Sequence, residues 1–597
     1  MSLTNEITQS LIWIVKNFFS VMVIFSLFLA LITRFTQWGK QFWILGKDYF
    51  SLKNSVKPLA YFWIIIFFEL LTVRINVLVT EWYKAMYDSL QSVNASAFWQ
   101  QMIIFAVLAA INVANFLLTY YISESFQIHW RRWMNNKMLQ KWTHNQAYYK
   151  VQYGPDQLDN PDQRIAQDIT NYISKSLGFA TGIISSTVSL VAFTIMLWDL
   201  SGPMQILGFE IPHAMVFLVF IYVLISSVLA FKIGRPLIKL NFASEWVNAN
   251  YRYALIRVKE YAESIAFYRG EKAETTQLKH HFDKVIDNLW QIIYRSLKLF
   301  GFNVSISQLS VIFPFIIQAG RYFAGQIKLG DLIQTAQAFG RVQSSLSFYR
   351  NSYSSFTSYR AILNRLTGFE KAIEHSQKEP MSTIHGTDHN VCLENLTINT
   401  PTDQPLIKNI NLSLKAGDSL LIQGQSGIGK TTLLRSLAGL WPYAKGNIYR
   451  PLESSLFLSQ KPYLPQGKLI DALYYPTQVP HEVDIKQATS LLEKVQLAHL
   501  ANKLMETEDW TRVLSLGEQQ RLSFARILLH KPKVVFLDEA SASLDEGLED
   551  AMYRLLKNSL PDTIIISVGH RSTLSVHHQI QFIIQGNGRW VLQKENA

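Results

Sequence analysis

Lys430 and Thr431 close an eight-residue run, Gly424-Gln425-Ser426-Gly427-Ile428-Gly429-Lys430-Thr431, whose residue types suit the holding of a chain of phosphates. The glycines let backbone N–H groups approach an anion, the lysine ammonium can reach the β and γ oxygens, and the threonine hydroxyl can hold Mg2+. A second run, Val534-Val535-Phe536-Leu537-Asp538-Glu539, carries an apolar strand into two carboxylates. Asp538 is placed to hold Mg2+ through water, and Glu539 to orient the attacking water or take its proton. An Asp-Glu pair after an apolar run can also be a helix cap; the neighbouring motifs favour catalysis. Gln460, in Leu458-Ser459-Gln460-Lys461-Pro462, is expected to touch Mg2+ and the water. His570 is expected to hydrogen-bond the γ-phosphate, a role that rests only on its place in the set. In Leu514-Ser515-Leu516-Gly517-Glu518 the serine hydroxyl, the glycine N–H and a helix N-terminus can bind another phosphate.

The expected nucleotide contacts are therefore Gly424, Gln425, Ser426, Gly427, Ile428, Gly429, Lys430, Thr431, Thr432, Ser515, Gly517 and Glu518. The expected metal contacts are Thr431, Gln460 and Asp538, and the expected catalytic groups are Glu539, His570 and Gln460. ATP and Mg2+ are the implied cofactors.

These residues need rigid supports. Ser419–Gln423 reads as a buried strand feeding the glycines, Lys430–Leu440 as the helix that follows, and Thr563–Ser567 as a strand that delivers His570. The implied fold is an α/β P-loop nucleotide-binding domain over residues 388–597.

The rest of the chain is of another kind. Of 597 residues only 17% are charged and 49% are hydrophobic, whereas a soluble protein of this size carries about 25% charged residues. A span needs about 20 apolar residues. Leu11–Ile32, Leu59–Val79, Phe98–Ile122, Leu177–Trp198, Ala214–Ile233 and Leu299–Ala319 qualify, and Leu329–Arg360 is helical in period but polar. No cleaved signal peptide is expected, because no Lys or Arg precedes Leu11. The net charge of +12 could suit nucleic acid. The basic residues instead gather between spans, and no groove-reading motif appears, so no nucleic-acid partner is expected. Arg34, Lys40, Lys47, Lys53 and Lys57 follow the first span, while no Lys or Arg lies between Trp198 and Ala214. This alternation places the P-loop domain in the cytoplasm and the N-terminus outside. A single cysteine, Cys392, excludes an internal disulfide and reads as a small packed residue.

The expected division is an extra first span with its connector (1–57), a six-helix membrane domain with long cytoplasmic extensions (58–368), a linker (369–387) and the nucleotide-binding domain (388–597). Asn160-Pro161-Asp162 and Glu263–Gly270 read as helix landmarks in the two cytoplasmic connections, either scaffold or contacts to the P-loop domain. Glu69 and Arg74 fall inside a span, either satisfied by neighbouring helices or lining a cavity. Gln334, Gln337, Arg341, Gln343, Ser344, Ser345, Ser347, Tyr349, Arg350, Asn351 and Tyr353 cannot face lipid, so the last helix is expected to line a polar, somewhat basic cavity.

The order of the phosphate motifs resembles that of an ATP-binding cassette (ABC), and six spans with two long cytoplasmic connections resemble the exporter-type ABC membrane domain. Asn160-Pro161-Asp162-Gln163-Arg164, Glu263–Gly270, Gly439-Leu440-Trp441-Pro442, Leu514–Arg521 and Ser567-Val568-Gly569-His570-Arg571 resemble the D-subfamily half-transporters of peroxisomes. They also resemble bacterial relatives whose membrane domains are similar to SbmA/BacA-type permeases. The resemblance implies ATP-driven transport by a homodimer in a lipid bilayer, a bacterial inner membrane, with each Ser515 motif completing the other copy's P-loop site. It implies a small-molecule or peptide cargo; the polar cavity favours cobalamin or peptides over fatty acyl-CoA. A rival reading is an ATP-gated channel or signal transmitter. Two departures stand out: the signature reads LSLGE where LSGGQ is common, and no aromatic stands near Thr400 to stack on adenine.

Overall fold

The computed structural model describes residues 3–53, 55–153, 160–206, 209–378 and 383–594; part of the expected linker, 379–382, lies outside the described residues. The chain forms two units, one of Met1–Trp142 with Leu158–Lys371, the other of Thr143–Gln157 with Ala372–Ala597.

The first unit is helical: α1 (Leu3–Phe35), α2 (Gln37–Gly46), α3 (Lys57–Gln91), α4 (Ala95–Thr143), α5 (Ile169–Leu200), α6 (Ala214–Glu260), α7 (Ala262–Tyr268), α8 (Glu271–Phe323) and α9 (Leu329–Lys378). Among the described residues six helices are long and apolar enough to cross a membrane, and they hold the six apolar runs of the sequence. The polar α9 is not one of them. At about 1.5 Å per residue, the 49 residues of α4 and 53 of α8 extend well beyond a bilayer. Val77, Phe193, Val219 and Phe339 knit α3, α5, α6 and α9 together. Phe25 of α1 stacks on Phe62 of α3 at 5.7 Å.

Polar groups in this unit find partners far along the chain. Glu69 and Arg74 do not face each other, since five residues on a helix turn through roughly 140°. Glu69 bonds Ser185 of α5, whereas Arg74 reaches Ser10 of α1 at 3.0 Å and lies over the Trp13 ring. On α9, Arg341 donates to Asn76 Oδ1 at 3.0 Å and the Tyr349 hydroxyl meets Thr187 at 2.7 Å. Ser345 and Ser347 are buried, and Gln337, Ser344, Asn351 and Tyr353 are open.

Both helix landmarks differ in detail from expectation. A helix does begin at Pro161, but Asn160 is left-handed (φ 47°) and makes no side-chain capping bond. The motif's Arg164 instead pairs with buried Asp168 at 3.0 Å, and Arg365 of α9 grips the same carboxylate at 2.6 and 2.8 Å. In the second landmark α7 ends on a left-handed Arg269 (φ 52°), and Gly270 instead leads into α8.

The second unit has ten strands that bear on the site: β1 (Thr383–Gly386), β2 (Val391–Asn399), β3 (Pro405–Leu414), β4 (Ser419–Gly424), β5 (Ala444–Arg450), β6 (Ser455–Leu458), β7 (Val534–Asp538), β8 (Ile564–Val568), β9 (Ile580–Gly586) and β10 (Arg589–Lys594). The larger sheet runs β10-β9-β4-β8-β7-β6, parallel except for β10; the smaller runs β1-β5-β2-β3. Strands β7 and β8 are near-continuous apolar runs because both faces of a parallel sheet are covered. Cys392 on β2 is half-buried rather than enclosed.

Candidate nucleotide site

Four parallel strands deliver the expected groups at their carboxyl ends, where ligands bind in open α/β sheets. Gly424 ends β4, Asp538 ends β7, and Gln460 and His570 follow β6 and β8 within two residues. The loop after β4 holds Gly424, Gly427 and Gly429 at φ 151°, 79° and 108°, left-handed values that a side chain opposes. At Gly424 a Cβ would also stand 2.9 Å from the Ile584 carbonyl oxygen. The helix α10 (Lys430–Leu437) starts on the loop's last glycine. It is three residues shorter than expected, because Gly439 turns left-handed (φ 76°) and Leu440 N–H closes on Arg435 O at 2.8 Å.

Lys430, Thr431, Gln460, Asp538, Glu539 and His570 come together. The Thr431 hydroxyl donates to Asp538 Oδ1 at 3.2 Å. The Glu539 carboxylate is held from both sides, by Gln460 Nε2 at 2.9 Å and by His570 Nε2 at 3.3 Å. Its own backbone is left-handed (φ 50°), a strained state at the centre of the site. The Lys430 ammonium donates to the carbonyls of Gly424 and Gln425, each at 2.9 Å. Burial lowers its pKa, while Glu539 and Asp538 oppose that shift. Burial raises the Asp538 pKa against the opposing Thr431 bond. The Asp538 carboxylate and the Thr431 hydroxyl beside it are oxygen ligands of the kind a divalent cation takes. Ser426, Gln425, Ile428 and Thr432 sit in the loop and first helical turn as expected.

Ser515, Gly517 and Glu518 form a separate group at the start of α11 (Leu516–His530). Ser515 caps this helix, and a reciprocal box joins Ser515 N–H to Glu518 Oε2 (2.9 Å) and Glu518 N–H to Ser515 Oγ (3.4 Å). Burial alone would raise the Glu518 carboxyl, yet Ser515 and His499 hold it below the usual range. Gly517 lies so near the next loop that a Cβ would meet Ser543 O at 3.2 Å.

Sequence reasoning missed the residues that join these groups. Gln520, 0% exposed, donates to Gln460 O at 2.9 Å and accepts from Ser543 N–H at 3.0 Å. One buried amide thus ties the loop carrying Gln460 to the Ser543-Leu544-Asp545 loop. Arg571 holds that second loop from behind, donating to Leu544 O at 2.7 Å and Ala542 O at 2.9 Å. Buried Glu549 accepts from Ser541 at 2.6 Å and Thr573 at 2.9 Å. The available signal was a row of polar residues inside the recognised motif, for Gln519, Gln520, Ser523 and Arg526 are all buried on α11. A second omission is Tyr153: its ring lies 5.3 Å from Trp441, and its carbonyl accepts from Tyr443 at 3.1 Å. That contact gives Gly439-Leu440-Trp441-Pro442 a use, packing a short segment that follows α4 against this unit's core.

Comparison with known proteins adds three findings. Residues 45–323 match the family described as ABC transporter transmembrane region 2, and residues 407–542 match the ABC transporter family. An uncharacterized ABC transporter ATP-binding protein of Haemophilus influenzae is 54% identical over 99% of this chain and 100% of its own length. The lysosomal cobalamin transporter of the D subfamily in Homo sapiens is 27% identical, covering 78% of this chain and 82% of its own. The structure of a bacterial Atm1-family ABC exporter with ATP bound superposes with a TM-score of 0.67 at 15% identity, over 88% of this chain and 93% of that one. At that identity the likeness establishes an exporter-type fold and nothing finer.

Proposed function

We propose how the work is divided in a chain that belongs to the ABC transporter family: two copies pair, clamp ATP between them and move a polar or amphipathic cargo. The chain is an ATP-binding, membrane-spanning half-transporter whose ATPase is coupled to transport. The homodimer, the cargo and each residue's role are our reading, and a bacterial inner membrane is the location we assign.

The observation that carries the reading is the double hold on Glu539. Gln460 and His570 fix both carboxylate oxygens, so the base is oriented before a water arrives. Lys430 exchanges the loop carbonyls for the β and γ oxygens of ATP, and loop N–H groups with the α10 N-terminus take the remaining charge. Thr431, Asp538 and Gln460 would hold Mg2+, which when bound neutralises phosphate charge. Glu539 then accepts the proton of the attacking water. The Ser515–Gly517 turn of each copy closes the other's site, because each chain brings one P-loop and one such turn. Moving a two-state cavity from 1:99 to 99:1 takes about 5.5 kcal/mol of preferential stabilisation, a plausible demand on two enclosed nucleotides.

The open polar face of α9 and the cobalamin relative favour cobalamin or peptides as cargo. The test is accumulation in sealed vesicles against a gradient, with cobalamin, peptides and fatty acyl-CoA as the panel. ATP-dependent accumulation of one of the first two supports the reading. Accumulation of acyl-CoA alone overturns the cargo assignment, and ATP-dependent leakage down the gradient marks a channel instead.

A further inference from the structure

Helix α1 takes no part in the nucleotide chemistry, yet it closes one side of a cavity of about 690 Å3 in the membrane unit. The wall is aromatic, with Phe25, Trp38, Phe42, Phe62, Trp63 and Phe179 drawn from α1, α2, α3 and α5. A second cavity of about 460 Å3 shares Phe25, Phe28 and Ile183 with the first and continues along α1 as far as Trp13. Together they form a long apolar slot. Its one charged lining group, Lys53, stands at one end beside Ser51, while Asn17, Ser20, Ser176 and Thr187 along the wall bond to helix carbonyls; among the described residues no Asp or Glu lines either cavity.

The corner that builds this end is fixed locally. Thr36 caps α2 by accepting from Gly39 N–H at 3.1 Å. Gly39 lies so close to α1 that a Cβ would stand 2.4 Å from Ile32 O. Trp38 is pinned on Phe356 at 5.1 Å. Helix α2 carries Trp38, Trp43 and Lys40, the mixture of an interfacial helix. The segment from Arg34 to Lys57 holds five basic residues and one acid, Asp48, which Lys137 engages at 2.6 Å. Its charge marks the cytoplasmic side, where anionic lipid headgroups draw Lys and Arg.

An apolar slot of this length, with a cation at its cytoplasmic end, selects its occupant. A peptide would leave its backbone unpaired against that wall. Water has almost nothing to bond there, and an empty slot forfeits the dispersion contacts of its lining. We propose that the slot binds one anionic phospholipid of the cytoplasmic leaflet, with its acyl chains on the aromatic wall and its phosphate on Lys53. The extra span is then the outer wall of a lipid site. This inference rests on the membrane-spanning character of the unit and is independent of the ATP chemistry above.

Native mass spectrometry of the full chain, washed in mild detergent and then exposed to equal amounts of phosphatidylglycerol and phosphatidylcholine, is the test. The expected result is one retained phosphatidylglycerol per chain. Lys53→Glu should cut that retention by at least about tenfold. Ala180→Phe, which fills the slot from α5, should abolish retention of either lipid. Neither residue belongs to the nucleotide site, so basal ATP turnover should persist and report correct folding; Ser26→Trp serves if Ala180→Phe loses it. Equal retention of the two lipids, or unchanged retention in the filled variants, would mean surface lipid only and overturn the proposal. So would cysteine cross-linking that seats a second copy's α1 in the slot.

Discussion

The two units solve opposite problems with polar side chains. In the second unit, Gly424, Gln460, Asp538 and His570 stand at or just beyond the ends of adjacent parallel strands, and short local motifs set their geometry. In the first, Asp168 is held by Arg365, Asn76 by Arg341, and Lys141 by Glu370, partners that only the assembled helix bundle brings together. Chemistry fixed by local motifs can be read from a sequence; helix packing fixed by distant pairing cannot.

That contrast can be broken or sharpened. The largest effect belongs to Glu539→Gln, which should leave ATP binding intact and slow turnover by at least about 100-fold. Near-normal turnover would remove the chemistry from the strand ends. Gln520→Ala removes two part-buried hydrogen bonds, to the Gln460 carbonyl and from the Ser543 N–H, worth about 0.5–1.5 kcal/mol each. Its kcat should fall about tenfold with KM for ATP little changed, because the residue orders two loops. An equal rise in KM would make it a binding residue. Asp168→Asn should destabilise the membrane unit by about 2–3 kcal/mol. That lies at the low end for a broken buried pair, since Arg365 is 37% exposed. Nucleotide binding should survive, and its loss would show that the units do not separate polar roles as described.

The smallest effect is one of pH. Burial raises the Asp538 pKa above its unfolded value, so its contribution to stability is full below the unfolded pKa and is lost as pH rises through the folded one. Without Mg2+, Asp538→Asn should therefore melt at a higher temperature at neutral pH. In the wild type, Mg2+ activation should fade on acidification at a higher pH than an unshifted aspartate would give. A lower melting temperature for Asp538→Asn would contradict the burial argument.

What the sequence revealed follows the same division. The P-loop, the Asp538-Glu539 strand and the six apolar runs were legible because each is a contiguous pattern with one physical purpose. The fate of Glu69 and Arg74 was not, since choosing between Ser185 and Ser10 requires knowing which helices neighbour α3. Helix ends were misjudged where glycine misled: Arg269, not Gly270, takes the left-handed turn, while Gly439 ends α10 early. Gln520 stood in plain view inside a recognised motif, but its two partners lie in other loops.

The most direct test uses the chain's single native cysteine, Cys392, as an advantage. In a Cys392→Ala, Glu539→Gln background, Ser426→Cys and Ser515→Cys can be introduced on separately tagged copies and oxidised with or without Mg-ATP. Two copies that clamp nucleotide between P-loop and Ser515 turn should give an ATP-dependent cross-link between the two tags. A chain that stays monomeric and uncross-linked with trapped ATP would contradict the paired mechanism outright.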